Sequence, residues 1–165
     1  MTVAAVSFVA AFAAMEGVSY AAHRWLMHGR GMVWHASHHA PPRGRMEAND
    51  LFPLCFSVLG FGLFALAALG ALPPWTWWAA AGMTAYGVAY LAVHEVVIHR
   101  RLPLRVPERR YLRWLRDSHR AHHRDGGEPF GMLLPLMRRG RRQPGWSVPD
   151  ELLVRARTRS RRARL

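Results

Sequence analysis

Every histidine in this chain, ten in all, falls into one pattern used twice. His23-x4-His28 precedes His35-x2-His38-His39, and His94-x4-His99 precedes His119-x2-His122-His123. Neutral imidazole is the commonest protein ligand for intermediate transition metals. Two matching sets that use every copy therefore describe a polyhistidine metal site, with His23, His28, His35, His38, His39, His94, His99, His119, His122 and His123 as its ligands.

Tetrahedral sites take about four ligands and octahedral sites about six, so ten imidazoles exceed one first-row ion and suit two ions at about five each. Cys55 is the only cysteine and lies in an apolar run, which excludes an internal disulfide and a Cys-based cluster. Structural zinc sites are closed and commonly include Cys, whereas nitrogen-rich ligation with an open position suits iron that meets O2. Zinc competes well for imidazole and is expected as a substitute in purified protein.

In a helix, residues at i, i+3 and i+4 share a face, so each triplet presents three rings together. Residues five apart diverge by roughly 140° around an α-helix, so each H-x4-H pair converges only where the helix frays or unwinds. Gly29 and Gly31, and the run Arg100-Arg101-Leu102-Pro103, are suitable end signals. Each pair is then expected to face the triplet that follows it. Neutral rings cancel no metal charge, so carboxylates are needed as counter-ions or as acceptors for ring N–H groups. Asp50, Glu95, Glu47 and Asp117 lie nearest in sequence, with ion pairing to Arg as the alternative role. Glu16 sits inside an apolar stretch, where a carboxylate is costly, and is either functional or held by an interior hydrogen bond.

Those motifs need elements to hold them. A chain of 165 residues suits one domain, so both sets serve one site. Residues 3–22, 51–72 and 75–93 each approach the roughly 20 apolar residues that cross a bilayer. Pro73-Pro74 makes a tight hairpin between the last two, and Trp75, Trp77 and Trp78 beside it fit an interfacial aromatic belt. Arg24, Arg30, Arg43 and Arg45 occupy the first loop, and the other nineteen of the 23 basic residues lie from position 100 onward. By the positive-inside rule both histidine sets and the C-terminus are cytoplasmic, in a multi-pass protein of the inner membrane. The uncharged amino end argues against a cleaved signal peptide. The net charge of +13 is absorbed by this topology and does not imply nucleic-acid binding.

A helix is expected from near Glu108, amphipathic through Tyr111, Leu112, Trp114 and Leu115, with Arg heads near lipid phosphates. Residues 130–137 are apolar but short, so they line a pocket or dip into the bilayer. The expectation is an all-α integral membrane bundle of three to four spans with a cytoplasmic di-metal site. Residues 1–137 form the membrane-embedded domain, and 138–165 an Arg-rich tail without chemistry.

Beyond the spacing, residues 23–52 and 82–123 resemble the fatty acid hydroxylase and sterol desaturase superfamily of membrane di-iron enzymes, and more particularly the bacterial β-carotene hydroxylases. That resemblance implies two ferrous ions on all ten histidines. It implies hydroxylation of carbon 3 of β-ionone rings, from β-carotene through β-cryptoxanthin to zeaxanthin, with O2 and electrons from reduced ferredoxin. The segment RDGGEP between His123 and Phe130-Gly131 is shorter than in many members, which bears on the local substrate or redox-partner surface. A carotenoid arrives from the bilayer, so a slot between the spans is expected, with Tyr86, Tyr90, Phe130 and Met132 as candidate lining. A hydroxylase or desaturase of a fatty acyl or sterol lipid could use the same chemistry. A non-catalytic metal-binding protein or transporter would instead place histidines along a path across the membrane.

Overall fold

The computed structural model describes residues 2–40, 44 and 46–135 and is all-helical over them. Helix α1 spans Val3–Ala21, starting where the Thr2 hydroxyl accepts from the Ala5 amide, and it widens into a π-helical segment, Ala22–Arg30. Helix α2 is Met32–His39. A 3-10 turn, Ala48–Asp50, leads into α3, Leu51–Ala68. Helix α4, Trp75–Leu91, likewise widens into a π segment, Ala92–Ile98, and α5 is Arg110–Asp125.

Three rods, Val3–Arg30, Ala48–Ala68 and Trp75–Ile98, are long and apolar enough to cross a membrane. Val6, Val9, Val58 and Leu59 lie exposed on their outer faces, as lipid-facing side chains should. Helix α4 packs against both α1 and α3. A Cβ on Gly82 would overlap the Phe8 carbonyl and lie 3.1 Å from the Phe12 amide, so glycine lets the α1 and α4 backbones touch. Phe12 then meets the Tyr86 ring edge-on at 5.7 Å.

Since α1 and α4 run one way across the bundle and α3 the other, the exits of α1 and α4 and the entry of α3 share one end with α2 and α5. All ten histidines are there. Exposed Trp25, Trp34 and Trp114 ring that end, while Trp75, Trp77 and Trp78 ring the hairpin end, so aromatic residues mark both interfaces.

Several boundaries differ from the sequence reading. The second span stops at Ala68, and Gly70, in the left-handed region at φ 71°, turns the chain. The third continues to Ile98, because a π-helix carries it through His94. Helix α5 begins at Arg110, two residues past Glu108, and Glu108 meets the buried Arg116 guanidinium at 3.2 Å. The inner face of α5 is Leu115, Ser118, His119 and His122, while Tyr111 and Trp114 point outward. Among the described residues there is no fourth span, since 130–135 form an irregular loop. Residues 136–137 and the tail assigned to 138–165 lie outside the described residues.

Gly82→Val should destabilise the α1–α4 contact by about 2 kcal/mol or more, the scale of overpacking a close contact. Gly62→Val, whose added carbon meets nothing within 4 Å, should be near neutral. Thermal denaturation of the two detergent-solubilised variants checks this, and equal melting temperatures would refute the close approach.

Candidate metal centre

A π-helix closes its hydrogen bonds i→i+5, adding roughly one residue to each turn, so residues five apart return to nearly the same face. This is how the H-x4-H pairs converge. The His99 amide donates to the His94 carbonyl at 2.9 Å, and the Gly31 amide to the Leu26 carbonyl at 2.8 Å. The helix widens instead of fraying, a solution the sequence reading did not contain. Gly29, at φ −107° and ψ −122°, breaks helical geometry after His28. After His99, Arg100 adopts φ 52°, and the Arg101 amide folds back 2.8 Å from the Glu95 carbonyl, closing the helix end.

The ring nitrogens gather into two clusters. His23, His28, His35 and His122 can each offer one nitrogen within 4.8 Å of the others, and so can His38, His99, His119 and His123. His39 joins the first, its Nε2 3.1 Å from His35 Nε2. His94 joins the second, its Nε2 3.0 Å from His38 Nε2. Each centre therefore has five imidazoles, but the division crosses the motifs. His35 and His39 stay with the pair that precedes them, as do His119 and His123, while the middle members His38 and His122 exchange. The His39 and His123 rings stack across the boundary at 4.4 Å.

Five rings have their inward nitrogen fixed by an outward hydrogen bond. Nδ1–H donates to the Phe130 carbonyl from His23 (3.0 Å), to Asn49 Oδ1 from His35 (2.7 Å) and to the Gly127 carbonyl from His122 (2.6 Å). It donates to Glu95 from His94 (2.6 Å) and to Glu47 from His38 (3.3 Å). In that tautomer Nε2 carries a lone pair, not a proton. Nε2 atoms nevertheless approach one another closely: His28 and His122 at 3.1 Å, His99 and His119 at 3.1 Å, His123 and His119 at 2.8 Å. Nitrogens about 2.1 Å from a shared ion stand roughly 2.9–3.4 Å apart, which matches. His23 Nε2 is buried without a hydrogen-bond partner, the state of a ligand atom. Burial pulls His35 down to about 4, His99 to about 3 and His122 to about 4, and neighbouring rings add to the effect, so all three are neutral at physiological pH. The donor set fits metal ions, and the two clusters could hold one each.

The four carboxylates fare differently. Glu47 and Glu95 accept directly from histidines. Asp50 touches none; it holds Arg101 through two 2.8 Å contacts, and Arg101 reaches Glu95 at 2.7 Å. Asp117 points to solvent and meets only Arg120, at 3.7 Å, because its side of α5 is opposite the histidine face. Asn49 and the carbonyls of Gly127 and Phe130 were not singled out from sequence. Backbone acceptors carry no residue signature, although Gly126, left-handed at φ 66°, announces the turn that folds Gly127 back onto His122.

Glu16 is a structural clamp. Its carboxylate accepts from Tyr86 OH at 2.7 Å and from the amides of Met132, Leu133 and Leu134 at 2.9–3.2 Å. These donors offset the few kcal/mol that a charge inside a span costs, and they pin the loop whose carbonyls orient His23 and His122.

A cavity of about 320 Å³ lies between α1, α3 and α4, lined largely by apolar side chains such as Met15, Phe56, Phe61 and Met83. Tyr86 and Tyr90 line it, and its inner end reaches Asn49, His94 and Glu95. Phe130 and Met132 do not. Phe130 packs on the rings of His23, His28 and His122 at 5.2–5.4 Å, and Met132 is held at Glu16.

Three helices apolar enough to span a membrane, with ten histidines gathered at one end in clusters that could hold metal ions, are the arrangement of an integral-membrane polyhistidine protein. Residues 8–139 match the family described as fatty acid hydroxylase, and the chain belongs to that family. It is 42% identical over 125 residues, 73% of this chain and 70% of the relative, to a beta-carotene hydroxylase of Pseudescherichia vulneris. It is 41% identical over 131 residues, 76% and 80% of the two chains, to a beta-carotene hydroxylase of Paracoccus sp. (strain N81106 / MBIC 01143). With beta-carotene 3-hydroxylase 2, chloroplastic, of Arabidopsis thaliana it shares 37% over 134 residues, 76% of this chain and 43% of that one. No solved structure matches.

Glu16→Ala leaves three amides and a tyrosine hydroxyl without their acceptor and should release the 127–134 loop. Bound metal measured by elemental analysis should then fall although no ligand is altered. Full metal content in a stably inserted Glu16→Ala protein would refute the clamp.

Proposed function

We propose that this chain is a carotenoid 3-hydroxylase, acting on β-ionone rings at the cytoplasmic face of the inner membrane with O2 and electrons from a reduced ferredoxin-type donor. The observation that carries the reading is the apolar cavity within the spans that ends on His94. Similarity to beta-carotene hydroxylases over most of both bacterial chains supports the choice of substrate. The Arg-rich first loop and C-terminal region support the orientation.

Two iron ions held by the ten imidazoles would supply O2 activation and oxidation of an unactivated C–H bond. The reaction places one oxygen atom in the substrate and releases the other as water, consuming two electrons and two protons. The chain's own part is positioning. Tyr86 and Tyr90 flank the route, and the Tyr90 ring stacks on His94 at 5.3 Å and 26°. The cavity accommodates one ring end of so long a molecule, leaving the polyene in lipid. Its apolar wall excludes water from the reacting carbon. Glu47, Glu95 and Asn49 hold ligand rings in register. Histidines collected at one end of the spans give no path across the membrane, which disfavours transport.

Expression in bacteria that accumulate β-carotene, followed by pigment chromatography, should yield β-cryptoxanthin and zeaxanthin. Unchanged β-carotene with an intact, iron-loaded protein would sink the carotenoid reading and point to another membrane lipid. His38→Ala should abolish turnover while leaving insertion intact. Gly60→Leu should fill the cavity, since a Cβ there meets only Thr84 Oγ1 at 3.7 Å. Conversion should drop at least tenfold with metal content unchanged; full activity would place the substrate elsewhere.

A further inference from the structure

The two metal positions share a ligand count but differ in what stands behind the ligands. In the first centre, His23, His35 and His122 donate to the neutral oxygens of Phe130, Asn49 and Gly127. In the second, His94 and His38 donate to the carboxylates of Glu95 and Glu47. Net charge follows the same division. Glu47, Asp50 and Glu95 stand beside the second centre, and among the described residues Arg101 is the guanidinium they share. Beside the first, Glu128 is matched by Arg24 at 2.8 Å.

An imidazole whose N–H is taken by a carboxylate is a more basic ligand than one bonded to an amide or carbonyl, and the carboxylate also offsets the cation's charge. We infer that the position built by His38, His94, His99, His119 and His123 binds a divalent cation more tightly than the position built by His23, His28, His35, His39 and His122, through Glu95 and Glu47. Glu95 is the stronger contributor, at 2.6 Å against 3.3 Å for Glu47. Arg101, anchored by Asp50, keeps Glu95 aimed at His94. Because His94 and Glu95 end the cavity, the tighter position is also the one that faces substrate. The inequality rests on the metal centre described above, not on the identity of the substrate.

The full-length protein, stripped with chelator in detergent, can be titrated with Co2+ against a chromophoric competitor. Two classes of site at least tenfold apart are expected. His99→Ala should remove the tight class and His28→Ala the weak one. Glu95→Gln should weaken the tight class by about 10–100-fold and spare the other. Asn49→Asp gives the first centre a carboxylate and should tighten the weak class, a gain that misfolding cannot imitate. Two sites of equal affinity, loss of the weak class in His99→Ala, or an unchanged weak class in Asn49→Asp would each overturn the assignment. Absence of any Co2+ binding would instead sink the metal centre, and the hydroxylase reading with it.

Discussion

Donation of ring N–H groups outward, to oxygens held by the backbone or by a buried side chain, is the interaction on which this structure depends. An imidazole has two nitrogens, and fixing the proton on one aims a lone pair from the other. Several lone pairs aimed inward at about 3 Å repel one another, and a shared cation would turn that repulsion into attraction. The bundle can hold such an arrangement because each outer acceptor is itself held. Glu95 is gripped by Arg101, Arg101 by Asp50, and Asp50 accepts from the Glu47 amide. Asn49 donates its backbone amide to the Ser37 hydroxyl oxygen, and Phe130 belongs to the loop that Glu16 clamps. The acceptors lie on segments distant in sequence, so metal affinity depends on the whole packed end of the bundle.

The second constraint is angular. A span must leave the membrane as a helix to satisfy its backbone, yet an α-helix would point residues five apart in different directions. A π segment reconciles these demands, keeping nearly every amide bonded while rotating His28 under His23 and His99 under His94. The exchange of His38 and His122 has a consequence for folding. Neither half of the chain supplies all five rings of either cluster, so metal binding would join the first span with α2 to the third span with α5, which already meet through the α1–α4 contact at Gly82.

Much of this was legible in sequence because its signals are chemical. Ten histidines in repeated spacing marked the rings that converge, three apolar runs gave the spans, and Arg distribution put both sets on one side. Pairing within the site was not legible, since i, i+3 and i+4 neighbours share one face of an ideal helix and nothing in the spacing tells that the middle ring leans toward the opposite centre. Asp117 looked equivalent to Asp50 by proximity along the chain, but only the azimuth of α5 decides that it faces water. Phe130 and Met132 were read as lining because an apolar run beside a metal motif suggests a pocket. That run instead serves the site through its backbone, with amides on Glu16 and a carbonyl on His23, a role to which side-chain identity is blind.

The location of the centre reconciles two requirements of oxidative chemistry on a lipid. The oxidisable bond must be reached from hydrocarbon, while electrons and protons come from water. A site deep in the bundle would isolate the metals from a soluble donor; one in a soluble domain would require extracting the substrate. Placing the ligands on the ends of α1 and α4, with α2 and α5 folded across them, puts the second centre between both phases. His94 and Glu95 close the membrane cavity from below, and Arg101, just past the helix end, remains partly open to the aqueous side. The carboxylate that steadies a histidine ring thus stands at the boundary between hydrocarbon and water.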